Sequence, residues 1–518
     1  MLARCISATL QGLTAIPVQV EVDIGPGLPA LHMVGLADAA IQEARERVRS
    51  ALRNSGLNVP LTRVVVNLAP ADLRKEGPGF DLPIALALLV ASSQLPGDQL
   101  QGVWSAAELG LDGQLRPIRG VLALAIAARH AGARALLVAE SNRAEAALVE
   151  GLSVWGATDL PAAIQRLATA GNAQPAPAAP MHQPPPSSRH QLDLQEVRGQ
   201  QHGRRALEIA AAGEHHLLLV GPPGSGKTML AQRLAGLLPP LSQTEALATT
   251  QIHSVAGLLP PGSGLIQERP FRSPHHSCTA AALVGGGTIP RPGELSLAHH
   301  GVLFLDELTE FPRDLLDQLR QPLEDGEISL CRSRQQTRFP CRFTLVAATN
   351  PCPCGWFGEP EQTCRCGELR RRRYWSKLSG PLLDRLDLQV VVRRLNAEAL
   401  ADTYRTTHAK ASTRGPESSR TVAQRVLKAR QTMTDRNPWA LSNSRLPPKV
   451  LKRVARIEAT ALNMWEHAVE KRRLSARAGD RVMRVALTIC DLDNRHSIDE
   501  AAIAEALNYR SFDRIEAE

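Results

Sequence analysis

Aromatic side chains are scarce in this chain: eight Phe, six Trp and three Tyr make up 3% of 518 residues. So thin a supply argues against a broad platform on which successive bases stack. No stretch is apolar and uncharged for the length that a membrane helix needs, and the amino-terminal residues lack a charged-then-apolar signal pattern. The expectation is a soluble, cytoplasmic protein with no membrane partner. Cysteine is sparse too, nine residues in all, and four of them fall within residues 352–366. That clustering suits a metal site in a reducing compartment better than a disulfide framework. Charge is not one-sided: 60 basic against 51 acidic side chains leave a formal net charge of +9. The excess permits nucleic-acid binding, and a moderately basic solvated surface would have the same composition.

What is present is apolar material, 43%, sufficient for several cores, and a length that fits two to four domains. Residues 171–190, rich in Pro and Ala and poor in bulky apolar side chains, read as an extended linker. It separates an amino-terminal domain, 1–170, from a body that begins at 191. The amino-terminal part mixes strand-like runs (18–22, 64–68, 135–138) with helical ones (39–52, 82–91, 121–130), an α/β or α+β pattern. From 191 to 395 short apolar strands alternate with helices, the pattern of a parallel sheet wrapped by helices. From 396 to 518 the chain is helical and basic and reads as a lid.

The strongest motif is Gly221, Pro222, Pro223, Gly224, Ser225, Gly226, Lys227 and Thr228, directly after the apolar run 217–220. A buried strand, a glycine-rich turn and a helix opening at the lysine make a cradle for a nucleoside triphosphate. Backbone N–H groups curl round the phosphates, Lys227 reaches the β/γ-phosphates and the Thr228 hydroxyl binds Mg²⁺. A second apolar strand ends in Asp306 and Glu307. In an ATPase the first acid supports Mg²⁺ and the second deprotonates water. A third, 343–349, ends in Asn350, which either senses the γ-phosphate and holds the attacking water or simply starts a turn. Arg385 closes a helix ahead of a last strand and is placed to reach a neighbouring subunit's γ-phosphate. A surface arginine paired with Asp384 or Asp387 is the alternative. Arg477 opens a helix of the lid, from where it would touch the phosphates and couple lid angle to nucleotide state.

Cys352, Cys354, Cys364 and Cys366 form two close pairs. Four thiolates enclose one Zn²⁺ tetrahedrally and would pin a short loop into a knuckle. Zinc ranks above free thiols, a redox-sensitive disulfide or an Fe–S cluster. The knuckle precedes a basic run, 370–373, followed by Tyr374 and Trp375, which either grips a nucleic-acid backbone or is a solvated face. The doublets His275/His276 and His299/His300 lack an obvious third ligand, so packing or hydrogen bonding is the expected role.

The ordered set Lys227, Asp306, Glu307, Asn350, Arg385 and Arg477 resembles the AAA+ ATPases. More narrowly it resembles their Mg-chelatase-like branch and, within that, the ComM/YifB competence family. The resemblance spans nearly the whole chain and rests also on segments 34–38, 66–77, 269–276, 290–299 and 350–355. It implies an AAA+ core at 191–395 with a zinc-knuckle insertion at 350–368, a helical lid at 396–518, and a ring of identical subunits, a hexamer, that consumes ATP with Mg²⁺. Competence members of the family imply a DNA helicase that drives branch migration during integration of transforming DNA, acting on single-stranded, forked or branched DNA. The alternative is an ATPase that remodels a protein, such as a metal-chelatase motor subunit or a chaperone. Asp306 lies 78 positions past Thr228 (306 − 228), which leaves room for an insertion at about 256–300. Related ATPases place such an insertion, and a hairpin like 328–343, in the ring's pore. That implies phosphate contacts for Arg332, Arg334 and Arg338, whose other reading is a solvated hairpin tip.

Residues 1–170 resemble the proteolytic domain of Lon, a ribosomal-S5-like α+β fold, through segments 75–79 and 113–120. In active Lon-type domains a serine follows the Gly-Pro pair and a lysine stands two past the second segment's last glycine. Gly79 and Leu122 hold those positions here. The resemblance therefore implies a degenerate domain kept for binding or assembly, without acyl transfer.

Overall fold

The computed structural model describes residues 2–169, 192–287, 290–332, 335–360, 362–394 and 417–510. The proline-rich segment 171–190, the first part of the expected lid (396–416) and Arg334 lie outside the described residues.

The amino-terminal body is built on a seven-stranded mixed sheet. Its order is Ala30–Val34, Arg63–Ala69, Thr14–Gly25, Leu2–Gln11, Val103–Ala106, Ala135–Ala139 and Ser153–Ala157. Leu2–Gln11 and Thr14–Gly25 are a long antiparallel hairpin. Side chains alternate between two cores, as a strand's period of two requires. Leu137 and Ala139 face one core, with the helices Ala39–Asn54 and Asp81–Ala91; Leu136 and Val138 face another, with Val121–His130. Asp81–Ala91 is buried along its whole length, which is why the sequence after Asp81 is apolar all round rather than amphipathic.

The second body is a five-stranded sheet ordered Phe271–Arg272, Val302–Leu305, Thr344–Thr349, Leu217–Val220, Leu388–Val391, with every neighbouring pair parallel. Leu217 and Leu219 point into one core and Leu218 and Val220 into the other. Burial on both faces explains uninterrupted apolar runs in place of alternation. The carboxy-terminal helices Ser419–Arg436 and Ala476–Leu492 cover one face through Val426, Ala429, Met433, Val482 and Val485. Part of the segment expected as an insertion, 256–300, instead returns to this sheet: Phe271–Arg272 is its edge strand. The remainder carries the helix Ala280–Val284 and a small hairpin, Gly285–Gly286 with Arg291–Pro292.

The two bodies meet along the helix Gln243–Ala256. Its Ser254 hydroxyl donates to Glu145 at 2.5 Å, its Ser254 carbonyl accepts the Gly120 N–H at 3.2 Å, and Gln251 donates to the Leu13 carbonyl at 2.7 Å.

Candidate nucleotide site and metal centre

The strand Leu217–Val220 delivers the chain to a tight turn in which Gly224 (φ 76°) and Gly226 (φ 92°) take left-handed backbone that other residues resist. The helix Lys227–Arg233 starts immediately afterwards. Lys227 is buried, and its Nζ donates to the carbonyls of Gly221 (2.6 Å) and Pro222 (2.9 Å) and to Asn350 Oδ1 (3.2 Å). Burial pushes the ammonium's pKa down, and Asp306 and Glu307 oppose the shift. Thr228 Oγ1 donates to Asp306 Oδ2 at 2.8 Å, and Asp306 Oδ1 accepts the Glu307 N–H at 2.9 Å. Glu307 is itself left-handed (φ 51°), a conformation of the kind stored at working sites, and its carboxylate is exposed.

This donor set fits a Mg-nucleotide. The Thr228 hydroxyl and the Asp306 carboxylate supply paired hard oxygens for Mg²⁺. The buried Ser225 Oγ has no hydrogen-bond partner among the described residues and lies in the turn that would wrap phosphate. Lys227, Thr228, Asp306, Glu307 and Asn350 thus converge at the carboxyl ends of three adjacent strands.

Arg385 and Arg477 do not join them. Both line a cavity of about 510 Å³, together with Arg342, Arg445, Arg481 and Arg484. His216, Phe343 and Asp387, which precede three of the sheet's strands, line it too, so it opens at the amino ends of the sheet. Arg477 therefore stands with Arg385 rather than over its own chain's cradle. Arg385 donates to the Pro381 carbonyl (2.8 Å) and pairs with Glu324, not with Asp384 or Asp387. Asp387 is buried and accepts from His215 Nδ1 (3.0 Å) and Arg481 (2.9 Å). Burial alone would raise its pKa, but Arg481 and His215 hold it well below the usual carboxylate range.

The four cysteine sulfurs lie within 4.8 Å of one another, the only such group of three or more metal-ligating side chains among the described residues. Cys352 Sγ is 3.3 Å from Cys354 Sγ and 3.7 Å from Cys364 Sγ, and Cys354 and Cys364 are 3.6 Å apart. A tetrahedron with metal–sulfur bonds of about 2.3 Å has edges of about 3.8 Å, so the spacing is that of a soft-cation site. Burial pushes the Cys352 thiol up to about 12. At Cys354 burial also acts upward, but N–H donors from Trp356 and Arg365 outweigh it and bring the thiol down to about 6. That supplies a thiolate ligand at neutral pH.

The hairpin Glu327–Arg332 with Gln335–Pro340 forms a sheet of its own; Arg338 is exposed, 3.5 Å from Glu327. His299 accepts the Arg342 N–H through Nδ1 at 3.0 Å. His276 lies against the His275 ring at a tilt of 34° and sets Nδ1 3.4 Å from Glu307 Oε2, a contact no local pattern announces. Gly79 lies beside Ile118, and Leu122 is fully buried with its N–H donated to Glu145 at 3.0 Å.

Family models described as magnesium chelatase, subunit ChlI, match residues 193–400; subunit ChlI of Mg-chelatase, residues 20–142; and the ChlI C-terminal region, residues 416–510. The chain is 43% identical over 529 residues to competence protein ComM of Haemophilus influenzae, covering 99% of this chain and 98% of that protein. The chain belongs to the Mg-chelatase-like ComM/YifB family. YifB of Escherichia coli is likewise 43% identical over 512 residues, 97% of this chain and 96% of its own length. Lon protease 2 of Bacillus subtilis is 27% identical over 188 residues, 31% of this chain and 33% of the protease, so the likeness to Lon is partial. ComM/YifB membership implies ATP and Mg²⁺ as ligands, in keeping with the oxygens and ammonium gathered at the cradle. No helix among the described residues is long and apolar enough to cross a membrane.

Proposed function

We propose that this chain is an AAA+ ATPase that works as a ring, a homo-hexamer in the cytoplasm, and moves DNA strands to drive branch migration as transforming DNA is integrated. One observation carries the reading: the phosphate cradle and the arginine-lined cavity lie at opposite ends of the same parallel sheet. In this reading a guanidinium that cannot serve its own cradle serves that of the next copy, so hydrolysis would require an assembly.

Within one site the parts divide the work. Lys227 exchanges carbonyl oxygens for the β/γ-phosphates. Thr228 and Asp306 would hold Mg²⁺, which supplies charge neutralisation at the phosphates. Glu307 takes the proton of the attacking water while Asn350 fixes that water's position. Arg385 and Arg477 of the neighbouring copy meet the charge that develops on the γ-phosphoryl oxygens. Such trans arginines are worth about 10³–10⁵ in turnover.

DNA as the substrate rests on likeness to a protein named for competence and on Arg332, Arg334 and Arg338, three arginines that the sequence sets within residues 328–343. Zn²⁺ is the metal we assign to the four cysteines. The amino-terminal domain we read as a Lon-like module retained for assembly, since Gly79 and Leu122 provide neither nucleophile nor amine.

The deciding measurement is ATPase rate with and without single-stranded, forked and four-way DNA. Stimulation by one of these is expected, and replacing the three hairpin arginines should weaken DNA binding and flatten its salt dependence. A rate indifferent to every DNA but raised by a protein partner would favour a chelatase-type remodelling motor, the reading that the ChlI matches support.

A further inference from the structure

The four-cysteine knuckle touches the nucleotide cradle by three routes. The first is covalent: Cys352 follows Asn350 by two residues, and Asn350 Oδ1 accepts from Lys227. The second is a direct contact. Gly355, in left-handed backbone (φ 84°), lies so close to the cradle's Pro223 that a Cβ there would sit 2.6 Å from the proline Cδ. The third runs through the helix that leaves the knuckle, Glu368–Trp375. Its Tyr374 hydroxyl is 3.2 Å from Thr349 Oγ1, which is 2.9 Å from Thr309 Oγ1, and Trp375 Nε1 donates to the Pro351 carbonyl at 3.0 Å. Thr349 ends the strand that presents Asn350, and Thr309 lies two residues beyond Glu307. The knuckle is also tied inwardly: Arg371 donates to the Cys366 carbonyl at 3.0 Å and lies over the Phe357 ring at 4.3 Å.

Apart from these ties the segment 351–367 has little to hold it. Its described residues contain no helix or strand, and Phe357 is 41% exposed. A loop that cannot bury an apolar face takes its order from the cross-link at its centre. We propose that the knuckle is a metal-dependent prop of the nucleotide site. A soft divalent cation held by Cys352, Cys354, Cys364 and Cys366 fixes Pro223 and Asn350, and its removal weakens nucleotide binding at Lys227. The inference rests on the ATP and Zn²⁺ assignments above and adds that the two sites are coupled.

The experiment uses the full chain reconstituted with Zn²⁺. Zinc per chain, ADP affinity in Mg²⁺ by calorimetric titration, and far-ultraviolet circular dichroism are measured before and after a zinc-selective chelator that spares Mg²⁺. The expected result is an ADP affinity about tenfold weaker, the equivalent of 1.4 kcal/mol, regained when Zn²⁺ is returned. Gly355→Ala separates coupling from metal binding: it should keep its zinc and still lose affinity, because the added methyl displaces Pro223. Cys364→Ser should lose both. Should Cys364→Ser fail to fold, the chelation cycle and Gly355→Ala decide. Zinc-free protein that binds ADP as tightly as the loaded form, or a Gly355→Ala chain that binds like wild type, overturns the coupling. A chain that takes up no zinc overturns the metal assignment itself, a failure told apart by the metal content.

Discussion

Lys227 carries its charge among oxygens, two backbone carbonyls and the Asn350 amide, in a site from which water is largely removed. A charge so placed binds phosphate without first shedding a full hydration shell. Replacing it with alanine should abolish nucleotide binding, measured by titration. Glu307→Gln should bind nucleotide normally and lower turnover by about 10²–10⁴, the usual worth of a positioned base. A Glu307→Gln chain that hydrolyses at the wild-type rate would remove Glu307 from the mechanism. His299 makes a separate prediction about pH. Burial, helped by the charges of His300, Arg342 and Arg445, pushes its pKa from 6.5 down to about 3. The fold thus prefers the neutral ring, whose Nδ1 accepts the Arg342 N–H. Its stabilisation is fully present above pH 6.5 and is lost as pH falls towards 3. One proton corresponds to a slope of about 1.4 kcal/mol per pH unit. Denaturant unfolding followed from neutral to acid pH should contain that slope, and His299→Gln should flatten it; an unchanged slope would count against the assignment.

Among elements, the joint at Asp387 matters most for order. It ties the residue before the last core strand to His215, two residues ahead of the strand Leu217–Val220, and to Arg481 on the helix Ala476–Leu492. Asp387→Ala strands a half-buried cation and a buried imidazole, so unfolding free energy should fall by about 3–5 kcal/mol. Arg481→Met combined with it should recover part of that loss in a double-mutant cycle, and strictly additive losses would refute the joint. This joint was not legible in the chain, because its members are far apart in sequence and meet only once the sheet is formed. The same holds for His276 with Glu307 and for Arg272 with Glu294. By contrast, the strands at 217–220 and 344–349 announce themselves, since burial on both faces demands unbroken apolar runs. The strand Leu2–Gln11 carries no unbroken apolar run, because it is central yet buries Ser7 and Thr9 among its apolar residues. Phe271–Arg272 is too short for any periodicity to reveal, and so its surroundings read as an insertion.

At the scale of the whole molecule, the two half-sites make a prediction that no single chain can satisfy. In the proposed ring, Lys227→Ala would spoil the cradle of its own copy, whereas Arg385→Ala would spoil that of a neighbour. Each variant alone should be inactive, yet an equal mixture should recover about one quarter of the wild-type ATPase rate, one half for each independent choice of partner. Steady-state hydrolysis across mixing ratios measures this, and a mixture as inactive as its components would show that each copy completes its own site. A deeper consequence follows from the two ends of the parallel sheet. A contact that joins the carboxyl ends of one sheet to the amino ends of the next is head-to-tail, and it cannot be satisfied by a two-fold pair. Repeated to closure, it gives a circle with unlike rims and a fixed sense of rotation, so a strand threaded through it meets every copy in the same orientation.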